Sequence, residues 1–344
     1  MAHNNALEYT PEVEAATAPL YPRVSKFYGE AQWRALAPYI HAVNTLKKEK
    51  NAVILAHNYM TPDIYHCVGD IVGDSLKLAQ VAAETKAQVI IQAGVHFMAE
   101  TSKILCPEKR VFIPDMKAGC SLSEGITGAD VRALKAKNPN VPVVTYVNTS
   151  ADVKAESDVC CTSSNAVKIV RALRNQGHKQ VYCIPDQYLA QNVAAQVEGV
   201  EVLTYDGSCM VHEQFSAADV ARMRQQSPNA VILAHPECPP DVVEASDFAG
   251  STAQLNDYIV EKQPKQAILI TECSMSDNIA AMNPNVELIK GCQLCPHMKR
   301  ITLPKIYHTL LALDGNGALE NEIFVDEAVA ALARVAIQRM LELS

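Results

Sequence analysis

What most constrains this chain is that two kinds of landmark recur three times in step. A cysteine follows a short apolar run in DMKAGCSLSE (Cys120), in TYDGSCMVHE (Cys209) and in IKGCQLCPHM (Cys295), 89 and then 86 positions apart. An apolar strand pattern keeps the same pace. VILAHNY starts at Val53, VVTYVNT at Val143 and VILAHPE at Val231, 90 and then 88 positions apart. A middle run recurs as VIIQAGVHFMAE, VYCIPDQYLAQ and AILITECSMSD. Independent landmarks that hold one period mark an internal repeat. Short continuous apolar runs alternating with helical patterns predict parallel strands covered on both faces. The expected fold is α/β, with three homologous three-layer α/β/α units. Each has a small parallel sheet, and the units are pseudo-threefold symmetric around a central site where the cysteine loops meet.

The expected division is a polar N-terminal leader at 1–30, a first unit at 31–139 carrying Cys120, and a second at 140–228 carrying Cys209. A third unit at 229–316 carries Cys295, and a C-terminal helix follows at 317–344, packed across one unit. Pro11, Pro19 and Pro22 predict a loosely ordered start. Trp33, Leu36, Ile40, Val43 and Leu46 fall at helical spacing over 31–50, with Pro38 as an expected kink or restart. In the first unit, strands are expected at Val53–Ala56, Val89–Gln92 and Val111–Ile113. Helices are expected near Ser75–Thr85, Met98–Leu105 and Asp130–Lys137.

A net charge of −8 leaves no basic footprint for nucleic acid, and Lys47 to Lys50 read as a solvated helix end. No apolar run is long enough to span a membrane. The first residues lack a basic-then-apolar export pattern, so a cytoplasmic location is expected. With 11 cysteines in a chain of this size, reduced thiols or metal ligands are expected rather than a disulfide framework. Cys67, Cys106, Cys160, Cys161, Cys183, Cys238 and Cys273 read as small buried hydrophobes.

In parallel sheets, ligands bind beyond the carboxyl ends of the strands. The first strand of each unit ends there in polar residues: His57-Asn58-Tyr59, Tyr146-Val147-Asn148 and His235-Pro236-Glu237. A third recurring motif, DIVGDS, DVCCTS and DFAGST, sets Ser75, Ser163 and Thr252 at expected helix starts, where a hydroxyl beside free N–H groups suits a carboxylate or phosphate. Glu237 is the candidate general base, with Tyr59, His57 and His235 beside it. Glu100, Glu156 and Glu213 read as solvated or capping residues. Three convergent thiolates suit zinc completed by a further ligand. They equally suit a cubane iron–sulfur cluster with one iron left open to act as a Lewis acid. A redox dithiol at Cys292 and Cys295 is a third reading.

The stretches AHNYMTPDI, GDSLKLA, AGVHFMAETSKIL, GCSL, TYVNTSADVKAESD, CTSSNA, GSCMVHE, AHPECP, GSTAQL and GCQLCPHMKRITL run through most of the chain. Together they resemble the quinolinate synthase family. The resemblance implies three α/β domains around a [4Fe–4S] cluster with three cysteine ligands, and condensation of iminoaspartate with dihydroxyacetone phosphate to quinolinate. It implies the ligands Cys120, Cys209 and Cys295, choosing Cys295 over Cys292 because it precedes the Pro-x-Met element. It also implies substrate contacts at His57, Ser75, Tyr146, Asn148, Ser163, His235, Glu237 and Thr252. The L-aspartate oxidase that supplies iminoaspartate is an implied partner. Other readings of the same residues are a different cluster-dependent hydro-lyase and a non-catalytic iron–sulfur or thiol redox sensor.

Overall fold

A computed structural model describes residues 7–313 and 320–344. Among the described residues, twelve strands form three four-stranded sheets. The first contains β1 (Ala52–His57), β2 (Ile71–Gly73), β3 (Val89–Ala93) and β4 (Arg110–Phe112). The second contains β5 (Val143–Tyr146), β6 (Val159–Cys161), β7 (Gln180–Ile184) and β8 (Glu201–Thr204). The third contains β9 (Val231–Ala234), β10 (Phe248–Ala249), β11 (Gln266–Ile270) and β12 (Glu287–Lys290). The strand order is the same in each: β2-β1-β3-β4, β6-β5-β7-β8 and β10-β9-β11-β12. Every pairing is parallel, as the apolar runs predicted. The central strands β1, β3, β5, β9 and β11 are buried almost throughout. The edge strands β8 and β12 carry exposed polar ends, which discourages pairing with another chain.

One aspartate per sheet explains how each copy is built. Asp70, Asp158 and Asp247 stand just before the second strand of their sheets. Each carboxylate accepts a backbone N–H at the start of the first strand, from Ile54 at 2.9 Å, Val143 at 2.7 Å and Ile232 at 2.8 Å. The preceding helix supplies a cation to each, namely Lys47 at 2.8 Å, Lys135 at 3.1 Å and Arg224 at 3.1 Å. Lys47 is therefore a buried partner that also donates to Val68 O, and not part of a solvated helix end.

The termini depart from expectation. Residues 11–24 are not loosely ordered, since helices run over Pro11–Thr17 and Tyr21–Val24. Pro11 and Pro22 lie in the first helical turn, where a missing N–H costs nothing. Pro38 does not restart its helix, which is continuous over Glu30–Glu49. At the other end, the expected helix over 317–344 begins only at Glu327, with Asp326 capping Ala328 and Val329. Residues 317–319 lie outside the described ones. Before this helix the chain runs antiparallel along the edge of β4, where Ile323 N donates to Val111 O and Ile113 N to Asn321 O. The helix Glu327–Leu343 packs on elements of both the first and the second sheet rather than on one unit. No helix among the described residues is long and apolar enough to cross a membrane.

Candidate active site

A cavity with about 700 Å³ of non-atom space, open solvent at its mouth included, lies beyond the carboxyl ends of the first strands. Every residue expected at the site lines it: His57, Tyr59, Ser75, Cys120, Tyr146, Asn148, Ser163, Cys209, His235, Glu237, Thr252 and Cys295. These residues come from all three sheets. The shared topology carries them there, because in each sheet the first strand, the second-strand turn and the fourth-strand loop open on the same edge.

The three cysteines share one local geometry. Each begins a tight turn in which the N–H groups two and three residues on face its sulfur: Leu122 and Ser123 for Cys120, Val211 and His212 for Cys209, His297 and Met298 for Cys295. Such N–H groups favour the thiolate. Burial acts the other way, pushing the Cys120 thiol up to about 12 and raising Cys209 and Cys295. Glu237 and the neighbouring thiolates add to the rise at Cys120 and Cys209. All three are free and half-buried. Lys299 lowers the Cys295 pKa without offsetting burial, and three preformed sulfur turns on one cavity fit a group that brings its own positive charge. Gly207, two residues before Cys209, lets the chain pass close to β7, since a Cβ there would lie 2.6 Å from Pro185 O.

Cys273 does not behave as a free buried thiol. It is bonded to Cys292 in a disulfide between the loops that follow β11 and β12. The bond takes up the first cysteine of Cys292-x-x-Cys295, leaving Cys295 as the free one. The other six expected core cysteines are free and buried.

Glu237 is the centre of the polar network. Its Oε1 accepts from the Tyr146 hydroxyl at 2.6 Å and from Asn148 Nδ2 at 3.4 Å. Its Oε2 lies 2.7 Å from His212 Nδ1. Burial opposes its ionisation, but the flanking histidines and these donors prevail and hold its pKa below the usual carboxylate range. A carboxylate only accepts, so His212 Nδ1, which also lies 3.1 Å from Cys209 Sγ, carries a hydrogen, and with one hydrogen on the ring Nε2 accepts. Thr271 Oγ1 lies 3.0 Å from that Nε2, and the Tyr59 hydroxyl lies 2.8 Å from Thr271 Oγ1. The resulting hydrogen bonds run in one direction, Tyr59 to Thr271 to His212 to Glu237. Burial raises the pKa of Tyr59 and Tyr146 well above the ordinary phenol value, and Glu237 adds to it.

His57 and His235 are alike. Nδ1 accepts the backbone N–H two residues on, from Tyr59 at 3.1 Å and from Glu237 at 3.3 Å. Burial pushes each pKa down to about 3. Both rings are therefore neutral, with their remaining hydrogen on Nε2 as a donor.

The hydroxyl sites differ in detail. Ser75 and Thr252 are the first residues of helices capped by Asp74 and Ser251. Thr252 Oγ1 already accepts from Asn58 Nδ2 at 2.9 Å. The helix after Ser163 starts only at Ala166, because Asn165 Oδ1 takes the Thr162 N–H and closes a turn first. Glu100 is not solvated. It reaches across to the second sheet and accepts the Ala151 N–H at 3.1 Å.

Several residues escaped sequence reasoning. His212 lies three residues after Cys209, within the quoted GSCMVHE. Thr271 and Glu272 follow β11 where the other sheets have Pro185-Asp186 and Gly94-Val95, so Thr271 has no counterpart, while Glu272 matches the helix cap Asp186 alone. Glu272 is fully buried and pairs with Lys299 at 2.9 Å. Lys299 also donates to Tyr59 O at 2.9 Å, joining the first and third sheets.

Residues 41–342 match the family described as quinolinate synthetase A protein. The chain is 56% identical to the quinolinate synthase of Sinorhizobium fredii (strain NBRC 101917 / NGR234) over 98% of its own length and 91% of that protein's. It is 56% identical to the quinolinate synthase of Caulobacter vibrioides (strain NA1000 / CB15N), covering 97% of this chain and 90% of the relative. It is 58% identical to that of Xylella fastidiosa (strain 9a5c), covering 88% and 86%. This chain belongs to the quinolinate synthetase A protein family.

Proposed function

We propose that the chain condenses iminoaspartate with dihydroxyacetone phosphate to quinolinate, releasing one phosphate and two waters. The atoms balance with no oxidant or reductant, so the residues have to move protons, hold anions and exclude water. The observation that carries the reading is the joining of three free, identically turned thiols with the Glu237 network in one cavity.

Cys120, Cys209 and Cys295 would hold a [4Fe–4S] cluster as thiolates. When bound, such a cluster supplies a Lewis-acid iron with no protein ligand. Glu237, kept ionised by its donors, takes protons from carbon or nitrogen. Glu237 passes each proton to a departing hydroxyl, which leaves as water. The regained carboxylate takes a further proton from Tyr59 through Thr271 and His212, with Tyr59 reprotonated by the substrate. The Nε2–H groups of His57 and His235 donate to substrate carboxylate or carbonyl oxygens. Ser75, Ser163 and Thr252 offer hydroxyls to the phosphate and the second carboxylate, with Tyr146 and Asn148 completing the Glu237 side. Enclosure by three sheets keeps water from reactive imines. We place the enzyme in the cytoplasm, supplied by an L-aspartate oxidase, with domains at 31–139, 140–228 and 229–316 behind the 1–30 leader.

A second reading has its own observation. Ligand atoms of Cys209, His212 and Glu237 lie within 4.8 Å of one another and could hold zinc. It is disfavoured because both His212 nitrogens are already engaged and two thiols would be left unused. Anaerobically purified protein tests both readings. Iron and sulfide with visible charge-transfer absorption, and quinolinate formed from the two substrates, are expected. Stoichiometric zinc without sulfide, or an iron–sulfur protein that makes no quinolinate, would overturn the proposal.

A further inference from the structure

Tyr59 and Glu237 hold the same place in their copies, each the second residue after a strand-end histidine. Both sit in one kind of turn. Met60 N donates to His57 O at 2.9 Å, and Cys238 N donates to His235 O at 3.0 Å. The two carbonyls flanking each residue are bound from outside the copy. Asn58 O and Met60 O both accept from Asn278 Nδ2, at 3.0 and 2.8 Å. Pro236 O and Cys238 O both accept from Asn192 Nδ2, at 2.9 Å each.

Asn278 lies on the helix Cys273–Met282 after β11, and Asn192 lies at the matching position of the helix Gln187–Ala194 after β7. They are 2% and 5% exposed. An amide has two N–H donors, and here both are spent astride a single residue. The residue between the carbonyls is thereby fixed relative to the neighbouring sheet. Copying this contact once more would grip the turn holding Asn148, but it is absent there. Thr101 takes the matching helical position and its hydroxyl returns to Phe97 O. Lys154 binds Thr149 O from within the same copy instead. The two-carbonyl grip is thus found at the two turns that present Tyr59 and Glu237, and not at the third.

We propose that Asn278 and Asn192 are positioning residues for the reaction, with each amide holding one end of the Tyr59–Thr271–His212–Glu237 chain in register across a sheet boundary. The role rests on the proposed function, through the proton transfer assigned to Tyr59 and Glu237.

The test uses Asn278→Ala and Asn192→Ala in the cluster-loaded full chain, read by hydrogen–deuterium exchange and by steady-state kinetics. Faster exchange is expected at 58–61 in the first variant and at 236–239 in the second, with neither disturbing the other's loop. In each, kcat for quinolinate falls about a hundredfold, as a small misplacement of reacting groups can cost. KM for both substrates stays within about threefold, because the anion-binding hydroxyls are untouched. Unchanged exchange in a folded variant overturns the grip, and faster exchange with full kcat overturns the positioning role. Loss of the fold in both variants also overturns it, by making the amides supports of the whole chain. Wild-type protein that makes no quinolinate would sink the proposed function instead, while the exchange measurement still reads the grip directly.

Discussion

The Tyr146 hydroxyl and Glu237 Oε1 meet at 2.6 Å across the boundary between the second and third sheets, 91 residues apart in the chain. The contact gives a buried carboxylate one of the donors it needs to stay ionised. It also aligns a phenol and a base from two copies, alongside the Asn148 and Asn192 contacts across the same boundary. Glu237 keeps two more contacts, to Asn148 and His212, so the network is shared rather than dependent on one bond.

Tyr146→Phe removes that donor and keeps the ring. A hydrogen bond to a charged group is worth about 1.5–3 kcal/mol, so a loss toward the lower end is expected, because Glu237 retains other partners. Turnover falls by about tenfold to a hundredfold. Urea denaturation and initial rates of quinolinate formation measure the two effects on one preparation.

Thr271 separates the proton path from simple packing. Thr271→Val keeps the shape but breaks both hydrogen bonds, to Tyr59 and to His212. Thr271→Ser keeps both. A kcat loss of about a hundredfold is expected for Val and within about threefold for Ser. Equal losses in the two variants would remove Thr271 from the path.

Acid should weaken the metal-free fold early. His57 and His235 are pushed by burial from 6.5 to about 3. Above pH 6.5 both the folded and unfolded chains are neutral at these rings, and nothing changes. Below it the unfolded chain takes up protons that the folded chain refuses, so stability falls as pH drops from 6.5 toward 3. Each ring contributes up to about 1.4 kcal/mol per pH unit. Glu237, held below the carboxylate range, acts in the same direction at lower pH, since its stabilising contribution is lost on protonation. His66, pushed down to about 4 by burial, acts in the same direction, so urea midpoints between pH 7 and 5 should show the slope and His57→Asn should remove about a third of it.

The sequence was most informative where one copy can be laid on another. Cys120, Cys209 and Cys295, and the turns after β1, β5 and β9, were found because each has two counterparts. The residues it missed work between copies. Asn192, Asn278 and Lys299 act on a neighbouring sheet, and a repeat does not say which copy faces which. His212 and Thr271 have no equivalents in the other sheets. The Cys273–Cys292 bond depends on the β11–β12 register, which places loops 19 residues apart side by side. Pro11 and Pro22 are helix breakers by residue type, but their position within the first turn decides their effect.

The thiol assignment predicts a sharp split among single substitutions. Cys120→Ala, Cys209→Ala and Cys295→Ala each remove a sulfur facing the cavity and should leave anaerobically purified protein with little iron or sulfide. Cys183→Ala, a buried position on β7 itself, should keep both. Retention of iron and sulfide at normal levels in any of the first three would show that its thiol is not a ligand.

The Glu272–Lys299 pair offers a test in which the order of stabilities matters more than their size. Glu272 is fully buried, while Lys299 is 23% exposed on its side chain. Burial raises the Glu272 pKa, opposed by Lys299 and by the N–H groups of Ser274 and Cys295. Lys299→Met strands a carboxylate away from water, which costs about 3 kcal/mol once the partial exposure of the lysine is discounted. Glu272→Gln should cost less, because Lys299 keeps Tyr59 O and can reach solvent. The double variant should then be more stable than Lys299→Met alone, since its second change removes the stranded charge. The Lys299→Met defect should also shrink at pH 5 relative to pH 7. With the lysine gone the folded-state pKa of Glu272 rises further, and protonation at lower pH relieves the penalty. Thermal midpoints of the three variants at both pH values check the ordering. A double variant less stable than Lys299→Met would mean that the carboxylate serves the Cys295 loop through hydrogen bonding more than it answers the lysine's charge.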